Sequence, residues 1–115
     1  MTSVRFSARG GELVFSASGH ASDGAAVSEV CAAVSALCHT LAQNVIFMRR
    51  GGKTESEPVI RLLPGDCEIR VVPAKEYLAE AIHAFLVIEA GFSLLAHNFG
   101  DKVSLTPFET EGEMN

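Results

Sequence analysis

The chemistry of this sequence centres on 3 cysteines and 4 histidines. Cysteine attacks as the thiolate. A thiol with an ordinary pKa of about 8.5 is mostly protonated at neutral pH, so a nucleophilic cysteine needs a device that favours its anion. Cys31 has two candidates nearby. If Ser28 is the N-cap of the helix that follows, Cys31 is its third residue, where unpaired backbone N–H groups and the positive helix end stabilise negative charge. His20 is the other: an imidazole within hydrogen-bond reach takes the thiol proton and later gives it to a leaving amine. A helix that starts at Ser22 would instead place Cys31 in a third turn, as a small inert hydrophobe on the packed face. The residues alone leave both readings open.

The remaining candidates read more simply. Ser35 lies one turn beyond Cys31 on the same helix face, where it serves either as a polar neighbour of the site or as a back-bonding residue of its own helix. Cys38 is two turns beyond Cys31, about 10 Å along the axis, too far for a disulfide, and reads as core. His39 adjoins Cys38 but points about 100° away, so the two are no dyad. His83 and His97 have no carboxylate or cysteine at ligand spacing and there is no HExxH, so no metal site and no cofactor are expected. Cys67 opens a strand with no chemical partner in view. Three cysteines so spaced form neither a disulfide framework nor a CxxC pair.

These residues must be positioned by a small number of elements. Val4, Phe6 and Ala8 alternate with polar residues, Gly10 and Gly11 punctuate, and Leu13, Phe15 and Ala17 alternate again, which predicts a hairpin with one buried face. Ser18 to Ala26, with Gly19 and Gly24, reads as a loop. From Val27, apolar residues at 27, 30, 31, 34, 37, 38, 41, 45 and 48 form a helical stripe that ends at Gly51 and Gly52. Val59–Leu63 and Ile69–Val72, separated by Pro64, Gly65 and Asp66, predict a second hairpin, and Pro73 is expected to open a second helix. Leu78, Ala81, Ile82, Phe85, Phe92 and Leu95 carry that helix to about Asn98, before Gly100, and Val103 and Leu105 suggest a last strand. The order predicts a two-layer α+β sandwich, a mainly antiparallel sheet with two helices on one face. Residues 1–108 read as one domain and residues 109–115 as a flexible acidic tail.

Composition narrows the partners. At 115 residues the chain fits one domain that buries enough surface to fold without disulfides or metal. A formal charge of −5 opposes nonspecific nucleic-acid binding, and the one cationic cluster, Arg49, Arg50 and Lys53, reads as a solvated helix end. Apolar stretches are expected to be interrupted by charges, glycine or proline before the 18 residues of a membrane span. With no secretory pattern in the first residues, a soluble protein of the reducing cytoplasm is expected.

Gly19-His20-Ala21, followed after a short interval by Val30-Cys31-Ala32-Ala33-Val34-Ser35-Ala36-Leu37, resembles the ribosomal-processing cysteine proteases, which remove a short N-terminal extension from large-subunit ribosomal protein L-twenty-seven. Further likenesses are the opening hairpin, the Gly91 to Leu95 spacing and the final strand. The resemblance implies a cysteine endopeptidase with Cys31 as nucleophile and His20 as base, working as a homodimer on the N-terminal segment of a ribosomal protein. It also implies that the segment between them, with Gly19, Ala21 and Gly24, closes over substrate. Members usually carry an acidic residue three positions before the cysteine. Here that position is Ser28, with Glu29 displaced by one as the candidate orienting carboxylate, and the interval from His20 to Cys31 is one residue shorter than usual. The other reading is a noncatalytic module of the same fold that grips a peptide or a ribosomal protein.

Overall fold

The computed structural model describes residues 1–20 and 29–109. Its elements are strands β1 (Thr2–Arg9) and β2 (Glu12–Gly19), helix α1 (Glu29–Arg50), strands β3 (Val59–Leu63) and β4 (Asp66–Val71), a 3-10 turn (Lys75–Tyr77), helix α2 (Leu78–Asn98) and strand β5 (Val103–Thr106). The strands form one sheet in the order β3-β4-β2-β1-β5. All neighbours are antiparallel except β5, which runs parallel to β1. This is the predicted two-layer α+β arrangement.

Strand alternation decides which face is covered. Because successive side chains point to opposite faces, the register Val4↔Ala17, Phe6↔Phe15 and Ala8↔Leu13 puts all six residues on one face, and all six are buried. Opposite them, β4 continues the rows with Val71 beside Leu13, Ile69 beside Phe15 and Cys67 beside Ala17. Both helices lie on this face. α1 buries Val30, Cys38, Leu41, Ala42, Val45 and Met48, and α2 buries Ala81, Phe85, Ile88 and Phe92. The centre is aromatic: Phe15 stacks on Phe92 at 5.4 Å, Phe6 lies 5.0 Å from Phe15, and Phe108, just past β5, closes over Phe6 at 5.3 Å. The Phe108 N–H donates to Glu89 Oε2 at 2.8 Å, which ties the last described residues to α2. Glu109 is the only part of the predicted tail among the described residues.

The uncovered face carries charged pairs beside the exposed Val59 and Leu63. Arg70 pairs with Glu68 at 2.8 Å and Glu12 at 3.2 Å, and Arg61 with Asp66 at 3.0 Å. Hydrogen bonding from Arg70, opposed by partial burial and helped by the charges of Arg70 and Arg61, holds the Glu68 carboxyl below its usual range.

The structure corrects four expectations. Ser18 and Gly19 belong to β2, because Gly19 still pairs with Thr2 and its N–H donates to Gly65 O at 3.0 Å. Asp66 is the first residue of β4, paired with Leu63, so the second hairpin turns on Pro64 and Gly65 alone. Pro73 does not open α2. It bridges to Thr54, and the Ala74 N–H donates to Lys53 O at 2.8 Å, which keeps the chain extended until the 3-10 turn. Finally, α1 and the helical run Lys75–Asn98 that contains α2 are long and apolar enough to cross a membrane by length and composition. The stretch from Cys31 to Met48 contains no charge, glycine or proline and is interrupted only by neutral polar residues and His39. Here that apolarity is spent in part against the sheet, one stripe per helix.

Candidate active site

Cys31 is the third residue of α1, half-buried, and packed against the edge of the core cluster. It is in the first described turn of α1, toward the positive end of the helix. The exposed Glu29 precedes it in the same turn. All three cysteines are thiols.

Two contacts fix which way α1 runs over the sheet. Near its C-terminal end, Arg49 pairs with Glu57 at 2.9 Å, and Ile46, Arg49 and Arg50 line a shallow groove with Glu57, Pro58 and Ile60, at the start of β3. Farther back, the Cys38 thiol meets the thiol of Cys67, the second residue of β4, close to the β3–β4 turn. The N-terminal turn of α1, about 10 Å beyond Cys38 at the usual helical rise, therefore points toward the end of the sheet that carries this turn.

His20 lies at that same end. It follows directly on β2, level with the turn through the Gly19 to Gly65 hydrogen bond, and its side chain is exposed. Its ring lies against Gly65: a Cβ built on Gly65 would stand 2.6 Å from His20 Nε2 and 2.7 Å from Cε1. Gly19 is equally constrained. Its φ is +98°, a region that side-chain-bearing residues rarely adopt, and a Cβ there would run into the Met1 carbonyl oxygen. Two glycines, far apart in sequence, thus shape the backbone around His20.

The other predicted site residues divide. Ser35 is exposed, and its contact is with the next turn: His39 Nδ1 donates to Ser35 O at 2.9 Å and lies 3.4 Å from Ser35 Oγ. Ser28, Ala21 and Gly24 lie outside the described residues, so the proposed cap and most of the closing segment do too. Among the described residues no cluster of three or more His, Cys, Asp or Glu side chains is arranged to hold a metal ion. Cys38 is buried as expected, but Cys67, for which the sequence offered no partner, is the sulfur it meets. The contact with Cys67, and then burial, push the Cys38 thiol far above its ordinary range, so it stays protonated. No periodicity could have revealed that contact, because it joins a helix to a strand across the core.

No protein-family model and no curated protein matches the sequence. Solved structures do match in fold. The ribosomal processing protease Prp from S. aureus, in complex with a covalently linked product peptide, superimposes with a TM-score of 0.70 at 20% identity over 93% of this chain and 99% of that one. The same protease in complex with a substrate peptide gives 0.64 at 15% identity, with the same coverage. A Streptococcus mutans protein gives 0.66 at 21% identity over 95% of this chain and 99% of that one. Along nearly its whole length, the chain has the fold of the ribosomal processing protease that its GHA and CAAVSAL segments resemble.

Proposed function

We propose that this protein is a cysteine endopeptidase that trims the N-terminal extension of a large-subunit ribosomal protein, L-twenty-seven, in the cytoplasm. The observation that carries the reading is the whole-chain likeness to a protease captured with a covalently linked product peptide. In support, Cys31 is in the first turn of α1 and His20 is at the end of the sheet toward which that turn points.

In this reading His20 takes the proton of the Cys31 thiol, and the thiolate attacks the scissile carbonyl carbon. The carbonyl becomes an oxyanion, for which backbone amides near the start of α1 are the candidate donors. Collapse of this intermediate breaks the C–N bond, and the imidazolium gives its proton to the leaving amine. Water, deprotonated by His20, then hydrolyses the thioester and returns the thiol. Glu29 is the candidate carboxylate to orient or charge-balance the imidazolium, with Ser28 as the cap of the helix. No cofactor takes part.

The proposal includes a homodimer and excludes nucleic acid and membrane as partners. The outer face of α2 supports the dimer, since Val87 is 56% and Leu94 62% exposed.

The test is incubation with a peptide spanning the N-terminal extension of the same organism's ribosomal protein, read by mass spectrometry. Cleavage at one bond is expected, abolished by Cys31→Ala and strongly reduced by His20→Ala. A folded wild type that binds the peptide without cutting it would favour the noncatalytic module instead, a reading that Ser28 in place of the family's acidic residue supports.

A further inference from the structure

We infer that Gly65, in the β3–β4 turn, is a positioning residue for His20: its bare Cα is the wall against which the imidazole is set. The inference rests on the protease reading for its catalytic consequence, but its geometry does not depend on that reading.

Two observations tie the residues together. The Gly65 carbonyl accepts the N–H of Gly19, the residue immediately before His20, at 3.0 Å. The Nε2, Cε1 and Cδ2 atoms of the ring occupy the space where a Gly65 side chain would begin, at 2.6, 2.7 and 3.3 Å from a built Cβ. One contact fixes the backbone that enters His20, and the other sets how close the ring comes to the turn. Gly65 also has a φ of +72°, as the position after Pro64 in a type II turn requires, so turn chemistry alone would explain a glycine here. The ring contact is a separate demand, and it comes from an element 45 positions along the chain.

The size of the effect follows from the distances. Ordinary carbon contacts lie at about 3.5–4.0 Å. A Cβ 2.6 Å from Nε2 therefore drives the ring back by about 1 Å. A displacement of that size in a proton-transferring group costs on the order of 10²-fold in rate. An exposed ring can make this movement without unfolding the protein.

Gly52 supplies the control. Its φ of +73° matches that of Gly65, but a Cβ there meets nothing within 4 Å. Gly65→Ala and Gly52→Ala thus share the backbone strain and differ in the ring contact. The experiment compares wild type, both variants and Cys31→Ala by peptide cleavage, by circular-dichroism melting, and by the His20 Cε1–H resonance in NMR, assigned with His20→Ala. The expected result is a loss of about 10²-fold in kcat for Gly65→Ala, little change for Gly52→Ala, similar melting of the two, and a shifted His20 resonance only in Gly65→Ala. An unmoved resonance in folded Gly65→Ala would overturn the contact. A shifted resonance with cleavage like that of Gly52→Ala would overturn the positioning role. If the wild type cleaves no peptide, the protease reading fails and the catalytic role of Gly65 with it, while the resonance still reports whether Gly65 sets the ring.

Discussion

Alkylation should separate the three thiols into one fast and two slow sites, and the separation can be worked from burial. Cys31 is half-buried in the first turn of α1, whereas Cys38 and Cys67 are 5% and 6% exposed and in mutual contact. A reagent such as iodoacetamide reaches the inner pair only after α1 lifts from β4. That movement breaks the packing of Leu41, Val45 and Met48 as well and so amounts to opening the core. Domains of this size are stable by about 5–15 kcal/mol, and each 1.4 kcal/mol is about tenfold in population. Even at the low end the inner thiols are accessible about 1 part in 10³ to 10⁴ of the time. Pulse labelling at neutral pH, digestion and mass spectrometry should therefore find Cys31 modified at least about 10³ times faster than the others. Cys38 and Cys67 should appear together, since one opening exposes both. Labelling of Cys38 or Cys67 within about tenfold of Cys31 in a protein that keeps its native circular dichroism would refute the reasoning, because it would mean that the α1–β4 contact opens without the core.

Other expectations test different parts of the structure. Phe92→Ala removes a ring that packs on Phe15 at 5.4 Å and Phe6 at 6.2 Å, and should cost about 3–5 kcal/mol, a drop of about 12–20 °C in Tm by calorimetry. Leu94→Glu places a charge on the exposed apolar face of α2 and should shift a dimer toward monomer in sedimentation velocity, with little change in Tm. The Glu68 carboxyl is held low by Arg70, so its contribution is present above the ordinary value of 4.5 and is lost as the pH falls below it, when the folded protein takes up the proton. Glu68→Gln should flatten the acid limb of stability by no more than about 1 kcal/mol, and high salt should shrink the difference, since these pairs are on the solvent face.

Period carried most of the fold. The alternation of Val4, Phe6 and Ala8 against Leu13, Phe15 and Ala17 specified a hairpin and its buried face, and the stripe from Val30 to Met48 specified the face of α1, because one-sided burial imposes a period of 2 on strands and 3.6 on helices. Boundaries were less legible where hydrogen bonding rather than side-chain pattern sets them. Ser18 and Gly19 look like loop residues, yet pairing with Ser3, Thr2 and Asp66 and the Gly19 to Gly65 hydrogen bond hold them in the sheet. Pro73 looks like a helix opener, yet its bridge to Thr54 keeps it extended.

For the site, the residue types of Cys31 and His20, and the likeness of the segments around them, are properties of the sequence. Their arrival at one end of the sheet is tertiary: it depends on the direction of α1, set by the Arg49 to Glu57 and Cys38 to Cys67 contacts, and on the antiparallel pairing that brings Gly19 beside Gly65. Local spacing encodes which face of an element is buried, because that is decided within a few residues. Contacts between residues tens of positions apart arise only when the hydrophobic faces meet. The ring of His20 on Gly65 and the sulfur pair of Cys38 and Cys67 therefore belong to the folded molecule alone.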